Sequence, residues 1–120
     1  MTATRKELGS LGESFVSTYL ERCLGWRVIE RNWRVRYGEL DLLAENACEL
    51  VAVEVKTRSF PVPGDPIEAL RPVQIGRLVA ALTAYAADTA RWPVVALDVV
   101  AVTWRDGLVV GFRHERVYPV

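Results

Sequence analysis

A chain of 120 residues, 51% apolar and 25% charged, has room for one hydrophobic core and the composition of an ordinary globular domain, which excludes disordered and fibrous classes. Fifteen basic and fifteen acidic residues cancel, which argues against a non-specific nucleic-acid binder held by bulk charge, although a local basic surface stays open. No apolar run approaches the roughly 20 residues that span a bilayer, and Met1 to Gly12 contains no apolar core of a signal peptide. Cys23 and Cys48 lack metal-ligand spacing and read as reduced thiols of a cytoplasmic protein, with Cys23 packed on a helix face.

In chain order, Leu8, Leu11, Phe15, Val16, Tyr19, Leu20, Cys23 and Leu24 recur at three- and four-residue steps and predict an amphipathic helix over 4–24. Gly25 falls where such a helix ends. Residues 26–35 favour a strand with Trp26, Val28, Trp33 and Val35 on its buried side, and Tyr37-Gly38 turns the chain. Strands are expected over 39–45 and 50–57, joined closely enough to form an antiparallel hairpin. Pro61, Pro63 and Gly64 mark a loop. Asp65-Pro66-Ile67-Glu68 then has the form of a capped helix start, and Pro72 opens a second amphipathic helix to Ala87. Val94 to Val102 reads as a strand buried on both faces, Asp106-Gly107 as a hairpin turn, and Leu108 to Phe112 as the return strand, followed by a charged tail in which His114 is a surface residue. The result is one α/β domain over residues 1–120, in the order αβββαββ: a mixed five-stranded sheet flanked by two main helices. The second helix makes strands three and four parallel neighbours.

Two of these strands carry ionisable groups that a buried strand does not favour. Glu39 and Asp41 are two residues apart, as are Glu54 and Lys56, and period-two alternation puts each pair on one face. The hairpin brings Asp41 across from Glu54. Burying several charges as a structural cluster costs several kcal/mol per ion, so a functional site is the better reading. Asp41, Glu54 and the Val55 carbonyl offer oxygen ligands suited to Mg²⁺ or Mn²⁺, which bind through one or two carboxylates and keep several waters. Lys56 stands beside them to orient a water or stabilise charge on phosphate. Arg34 and Arg36, among Trp26, Trp33 and Tyr37, form an arginine and aromatic mixture suited to phosphate and bases. Arg58 is a further candidate phosphate contact, and Asp98 reads as a structural acid or as one that supports the site.

An Asp followed about a dozen residues later by Glu-x-Lys resembles the signature of the restriction-endonuclease-like superfamily. More narrowly, the chain resembles the YraN-like family of uncharacterised bacterial proteins, similar in fold to archaeal Holliday-junction resolvases. The resemblance spans nearly the whole chain, through Leu8-Gly9-x-x-Gly12-Glu13, Tyr19-Leu20, Asn32-Trp33-Arg34, Gly38-Glu39-Leu40-Asp41-Leu42, Val53-Glu54-Val55-Lys56-Thr57-Arg58, and Gly64-Asp65-Pro66 with Glu68-Ala69. It implies a restriction-endonuclease-like core and adds Glu13 to Asp41, Glu54 and Lys56 as a catalytic and metal-site residue. Two positions depart from the family pattern: Gln74 stands where a lysine facing nucleic acid is usual, and Ala96-Leu97-Asp98 replaces Arg-Phe-Asp.

The expectation is therefore a Mg²⁺- or Mn²⁺-dependent nuclease hydrolysing phosphodiester bonds in DNA, branched or single-stranded, with Arg34, Arg36, Arg58 and Gln74 as nucleic-acid contacts. Two alternatives stay open: a nucleic-acid-binding protein of the same fold without turnover, and a protein-interaction scaffold. Resolvase-like chemistry would need two sites and hence a homodimer. No membrane partner is expected.

Overall fold

The computed structural model describes residues 4–36, 38–61, 70–87 and 91–119. The helix start expected at Asp65-Pro66-Ile67-Glu68, the Gly64-Asp65-Pro66 and Glu68-Ala69 motifs, Pro63 and Tyr37 lie outside them. The elements follow the expected order: α1 (Arg5–Arg22), β1 (Arg27–Val35), β2 (Gly38–Glu45), β3 (Glu49–Ser59), α2 (Pro72–Ala87), β4 (Val94–Arg105) and β5 (Leu108–Tyr118).

Each element has a local cause. Thr4 caps α1: its hydroxyl accepts from the Glu7 N–H, and the Glu7 carboxylate accepts from the Thr4 N–H, a reciprocal capping box. Gly25 takes φ +69° just past the helix end, a conformation that costs glycine little, and the chain turns there into β1. Pro72 opens α2 as expected. The five strands form one sheet in sequence order, antiparallel except for β3 and β4, which run parallel along eleven rungs from Glu49↔Val94 to Ser59↔Trp104. The sheet is thus mixed, with α2 as the crossover between the parallel pair.

A helix covers each face. Val16 and Leu20 of α1 pack on Leu42, Ala44, Val51, Val53, Ala96, Val100 and Val102. Leu78, Ala81 and Leu82 of α2 pack on Leu40, Leu43, Leu50, Ala52, Leu97 and Val99. β3 and β4 are buried from both sides, which explains their nearly continuous apolar sequence. The apolar residues expected on one side of β1 divide between the layers: Trp26 and Val28 pack toward α1, Trp33 and Val35 toward α2. Cys23 is exposed rather than packed, because it caps α1 beyond the buried stripe. Among the described residues no helix is long and apolar enough to cross a membrane.

β5 is longer than expected. It continues through the charged segment Arg113 to Tyr118, because that segment pairs with the buried middle of β4, with one register shift between Leu97 and Asp98. His114 is consequently half-buried and held on both sides: Nε2 lies 2.7 Å from Asp98 Oδ2 and Nδ1 lies 2.8 Å from the Tyr19 hydroxyl. Asp98, 2% exposed in the α1-side core, also accepts from Arg116 Nε at 2.8 Å, and Arg116 reaches on to Glu49. A buried carboxylate survives there because both its oxygens are satisfied.

Candidate active site at the parting of two strands

The last rung between β2 and β3 is Leu42↔Val53. One step further Asp41 comes opposite Glu54, and there the ladder ends. Instead of another backbone rung, Asp41 Oδ2 accepts a hydrogen bond from the Val55 N–H at 2.9 Å. A side chain has replaced a strand as partner, so the β2-facing edge of β3 beyond Val55 is open.

The other side of β2 is interrupted at the same level. Leu40 and Leu42 pair with Trp33 and Arg31, while Asn32, between them, takes φ +51°. Asparagine visits this left-handed region more readily than other non-glycine residues, and a strand position that adopts it invites a functional reason. The pleat breaks here too: Leu40 belongs to the α2-side core and Leu42, two residues on, to the α1-side core. Period-two alternation therefore does not run from Leu40 to Leu42, although the Glu39 charge still acts on both Asp41 and Glu13. It holds along β3, where Val51, Val53 and Val55 all face α1.

Glu13 arrives from α1. The preceding residue, Gly12, is buried against β3, and a Cβ there would lie 2.3 Å from Thr57 Oγ1. Only a residue without a side chain lets the helix approach so closely. The Asn32 side chain and the Arg31 charge both favour the ionised Glu13 carboxyl. Arg31 also lies 3.4 Å from Ser14 Oγ on the same helix.

The three acids act on one another. Burial pushes the Glu54 carboxyl up to about 9, and Asp41, through its charge and its hydrogen bond to Glu54, adds to the rise. Burial also raises Asp41, opposed by the hydrogen bonds from Glu54 and Val55. Glu13 is raised first by burial and then by the Asp41 charge. Lys56 lowers both Asp41 and Glu54 but does not outweigh their desolvation. A like-charged, partly desolvated cluster with one ammonium beside it favours protons or a cation. The donors are oxygens alone: the Asp41 and Glu54 carboxylates with the Val55 carbonyl at hand. Among the described residues no three carboxylate, histidine or cysteine groups converge closely enough to cage an ion. Two carboxylates suit a magnesium-type ion that keeps its waters, and do not suit a zinc or calcium cage.

The remaining candidates are dispersed. Glu39 stands opposite Arg34 and pairs with it at 3.1 Å, on the surface. Arg36 is exposed in the turn between β1 and β2. Arg58 lies beyond Lys56 on the open part of β3, in a groove against α1. Gln74 accepts from the Arg71 N–H at 3.2 Å and so helps to cap α2. Asp98, expected as a structural acid or as one that supports the site, belongs to the network with His114 and Arg116, apart from Asp41 and Glu54. Asn32 is the site residue that sequence reasoning left without a role. The available signal was an asparagine inside a strand segment, where that residue is depleted.

A model of the uncharacterised protein family UPF0102 matches residues 12–102, a span that contains Glu13, Asn32, Asp41, Glu54 and Lys56. The chain belongs to this family. Similar members include a UPF0102 protein of Syntrophomonas wolfei, 43% identical over 103 residues covering 85% of this chain and 89% of that one. One from Mycobacterium sp. strain JLS is 45% identical over 105 residues, covering 84% and 76%. One from Chloroflexus aurantiacus is 38% identical over 119 residues, covering 95% and 93%. The family is the one that the motifs along the chain resemble.

Proposed function

We propose that this UPF0102 member is a metal-dependent phosphodiester hydrolase acting on nucleic acid, with DNA as its substrate. The observation that carries the proposal is the parting of β2 and β3, where the Asp41 carboxylate is tied to the Val55 N–H and faces Glu54, with Lys56 next along β3. A fold gains nothing from two acids set against each other where burial raises both, whereas a cation brought there with a phosphate gains a great deal.

Asp41 and Glu54 would hold the ion, with the Val55 carbonyl as a third oxygen and Glu13 placed to anchor its water. Bound there, Mg²⁺ or Mn²⁺ would polarise a phosphoryl oxygen and make a water easier to deprotonate. The Val55 N–H fixes one Asp41 oxygen and leaves the other to the ion. Lys56 lies close enough to both acids to lower them, and its amine would donate to a phosphate oxygen or position the attacking water. Asn32, from β1, would favour the ionised form of Glu13.

The test is a panel of labelled DNA and RNA substrates (single strand, duplex, flap and four-way junction) incubated with Mg²⁺ or Mn²⁺, with Lys56→Ala alongside. Cleavage by wild type that is lost in the variant supports the reading. No cleavage across the panel, or equal cleavage by the variant, overturns it.

A further inference from the structure

Beyond the acids, the open part of β3 faces the first turns of α1 across a groove of about 460 Å³, lined by Arg5, Leu8, Gly9, Val55, Lys56, Thr57, Arg58 and Ser59. That is within the range of small-ligand clefts, about 300–1,000 Å³. Among the described residues that line it, three are cations and none is an acid. Other arginines are neutralised by carboxylates: Arg27 and Arg91 lie on Glu45, Arg34 on Glu39, Arg113 on Glu115, and Arg116 on Asp98 and Glu49, while Arg22, Arg31, Arg36, Arg71 and Arg77 make no such pair among the described residues. Among the described residues Arg5 and Arg58 make no such pair.

Gly9 is the second observation. Mid-helix glycine costs about 1 kcal/mol against alanine. At Gly12 the close approach to Thr57 accounts for it, but a Cβ built at Gly9 meets nothing within 4 Å. Neither helix packing nor an unusual φ requires glycine there. What the missing side chain leaves is room in the groove.

We propose that this groove seats the sugar-phosphate backbone of a single nucleic-acid strand: Arg5 and Arg58 contact phosphates, Gly9 makes space for the chain, and Lys56 leads to the phosphodiester at Asp41 and Glu54. Guanidinium groups pair with phosphate through two parallel hydrogen bonds, and Thr57 and Ser59 add hydroxyls. The inference deepens the hydrolase reading and rests on it for the direction of the strand.

Anisotropy of a fluorescein-labelled single-stranded oligodeoxynucleotide tests it, measured in EDTA in an Asp41→Asn/Glu54→Gln background that removes both acid charges and any hydrolysis. Arg5→Ala and Arg58→Ala are each expected to weaken binding about tenfold. Each should also reduce the slope of log K against log salt by about 0.7, the value for one lost single-strand phosphate contact. Gly9→Leu should lose binding with no fall in melting temperature. Arg22→Ala, at the far end of the same helix, should bind as the background does. Undiminished binding in Gly9→Leu and Arg58→Ala overturns the proposal. So does equal weakening by Arg22→Ala, and so does a background protein that binds nothing at low salt. Wild type that cleaves nothing while the binding pattern holds leaves the groove and removes the hydrolase. Metal-dependent cleavage indifferent to Gly9→Leu does the reverse.

Discussion

The Asp41 carboxylate accepts a hydrogen bond from the Val55 N–H at 2.9 Å, at the point where β2 stops pairing with β3. This contact serves the fold and the site together. It satisfies a backbone donor that the departing strand would leave bare, and it fixes one carboxylate oxygen while Glu54 stands opposite. Asp41→Asn keeps an oxygen that can accept from Val55 and removes the charge. The variant is expected to fold, to match or exceed the metal-free wild type in melting temperature, and to lose both hydrolysis and the rise in melting temperature with Mg²⁺ or Mn²⁺ that binding to the native state produces. Thermal melts with and without ions check both halves. Wild type whose melting temperature ignores both ions would sink the metal site.

Stability without metal should depend on pH in an unusual direction. The folded Glu54 carboxyl is raised to about 9 from an ordinary 4.5. Between these values the folded protein keeps a proton that the unfolded chain gives up, so stability is greatest below about pH 4.5 and declines as pH rises toward 9. The slope is at most about 1.4 kcal/mol per pH unit for one group. Denaturant melts in EDTA from pH 5 to 9 should show this decline, and Glu54→Gln should flatten it. Stability that rises across that range would contradict the assignment.

Gly12→Ala places a Cβ 2.3 Å from Thr57 Oγ1. The helix must lift or Thr57 must rotate, at a cost of about 1–3 kcal/mol. Adding Thr57→Ala removes the hydroxyl and should recover much of the loss in a double-mutant cycle. Additive effects would show that the close approach is not what requires the glycine.

Asp98→Ala strips His114 and Arg116 of their common partner in a site where the acid is buried. A loss on the order of 3 kcal/mol is expected. Because this network does not include Asp41, Glu54 or Lys56, the folded fraction should keep its response to Mg²⁺. Equilibrium melts with and without the ion separate the two effects. An unchanged melt would mean that the network contributes nothing to stability.

Much of this was legible along the chain because it depends on local periods. Three- and four-residue steps marked α1 and α2, continuous valines marked the doubly covered β3 and β4, and hairpin length set Asp41 against Glu54. The motif resemblance pointed to Glu13, whose side chain has no local feature to distinguish it from any solvated helix glutamate. The local rule failed where two irregularities coincide: Asn32 at φ +51° and the broken pleat between Leu40 and Leu42. Alternation assumes an unbroken ladder, and here the ladder ends.

The chain's own pattern was enough to set element order, the parallel pair and the facing of Asp41 and Glu54, since strand period and connection length act between near neighbours. Contacts between distant segments needed the packed molecule. His114, in a stretch that reads as a charged tail, is drawn between Tyr19 and Asp98 because β5 finds a buried edge to pair with. Gly9 and Gly12 look alike in sequence, yet one touches Thr57 and the other faces open space beside Arg5 and Arg58. That difference is decided by where the helix axis lies on the sheet, which no residue on the helix specifies alone.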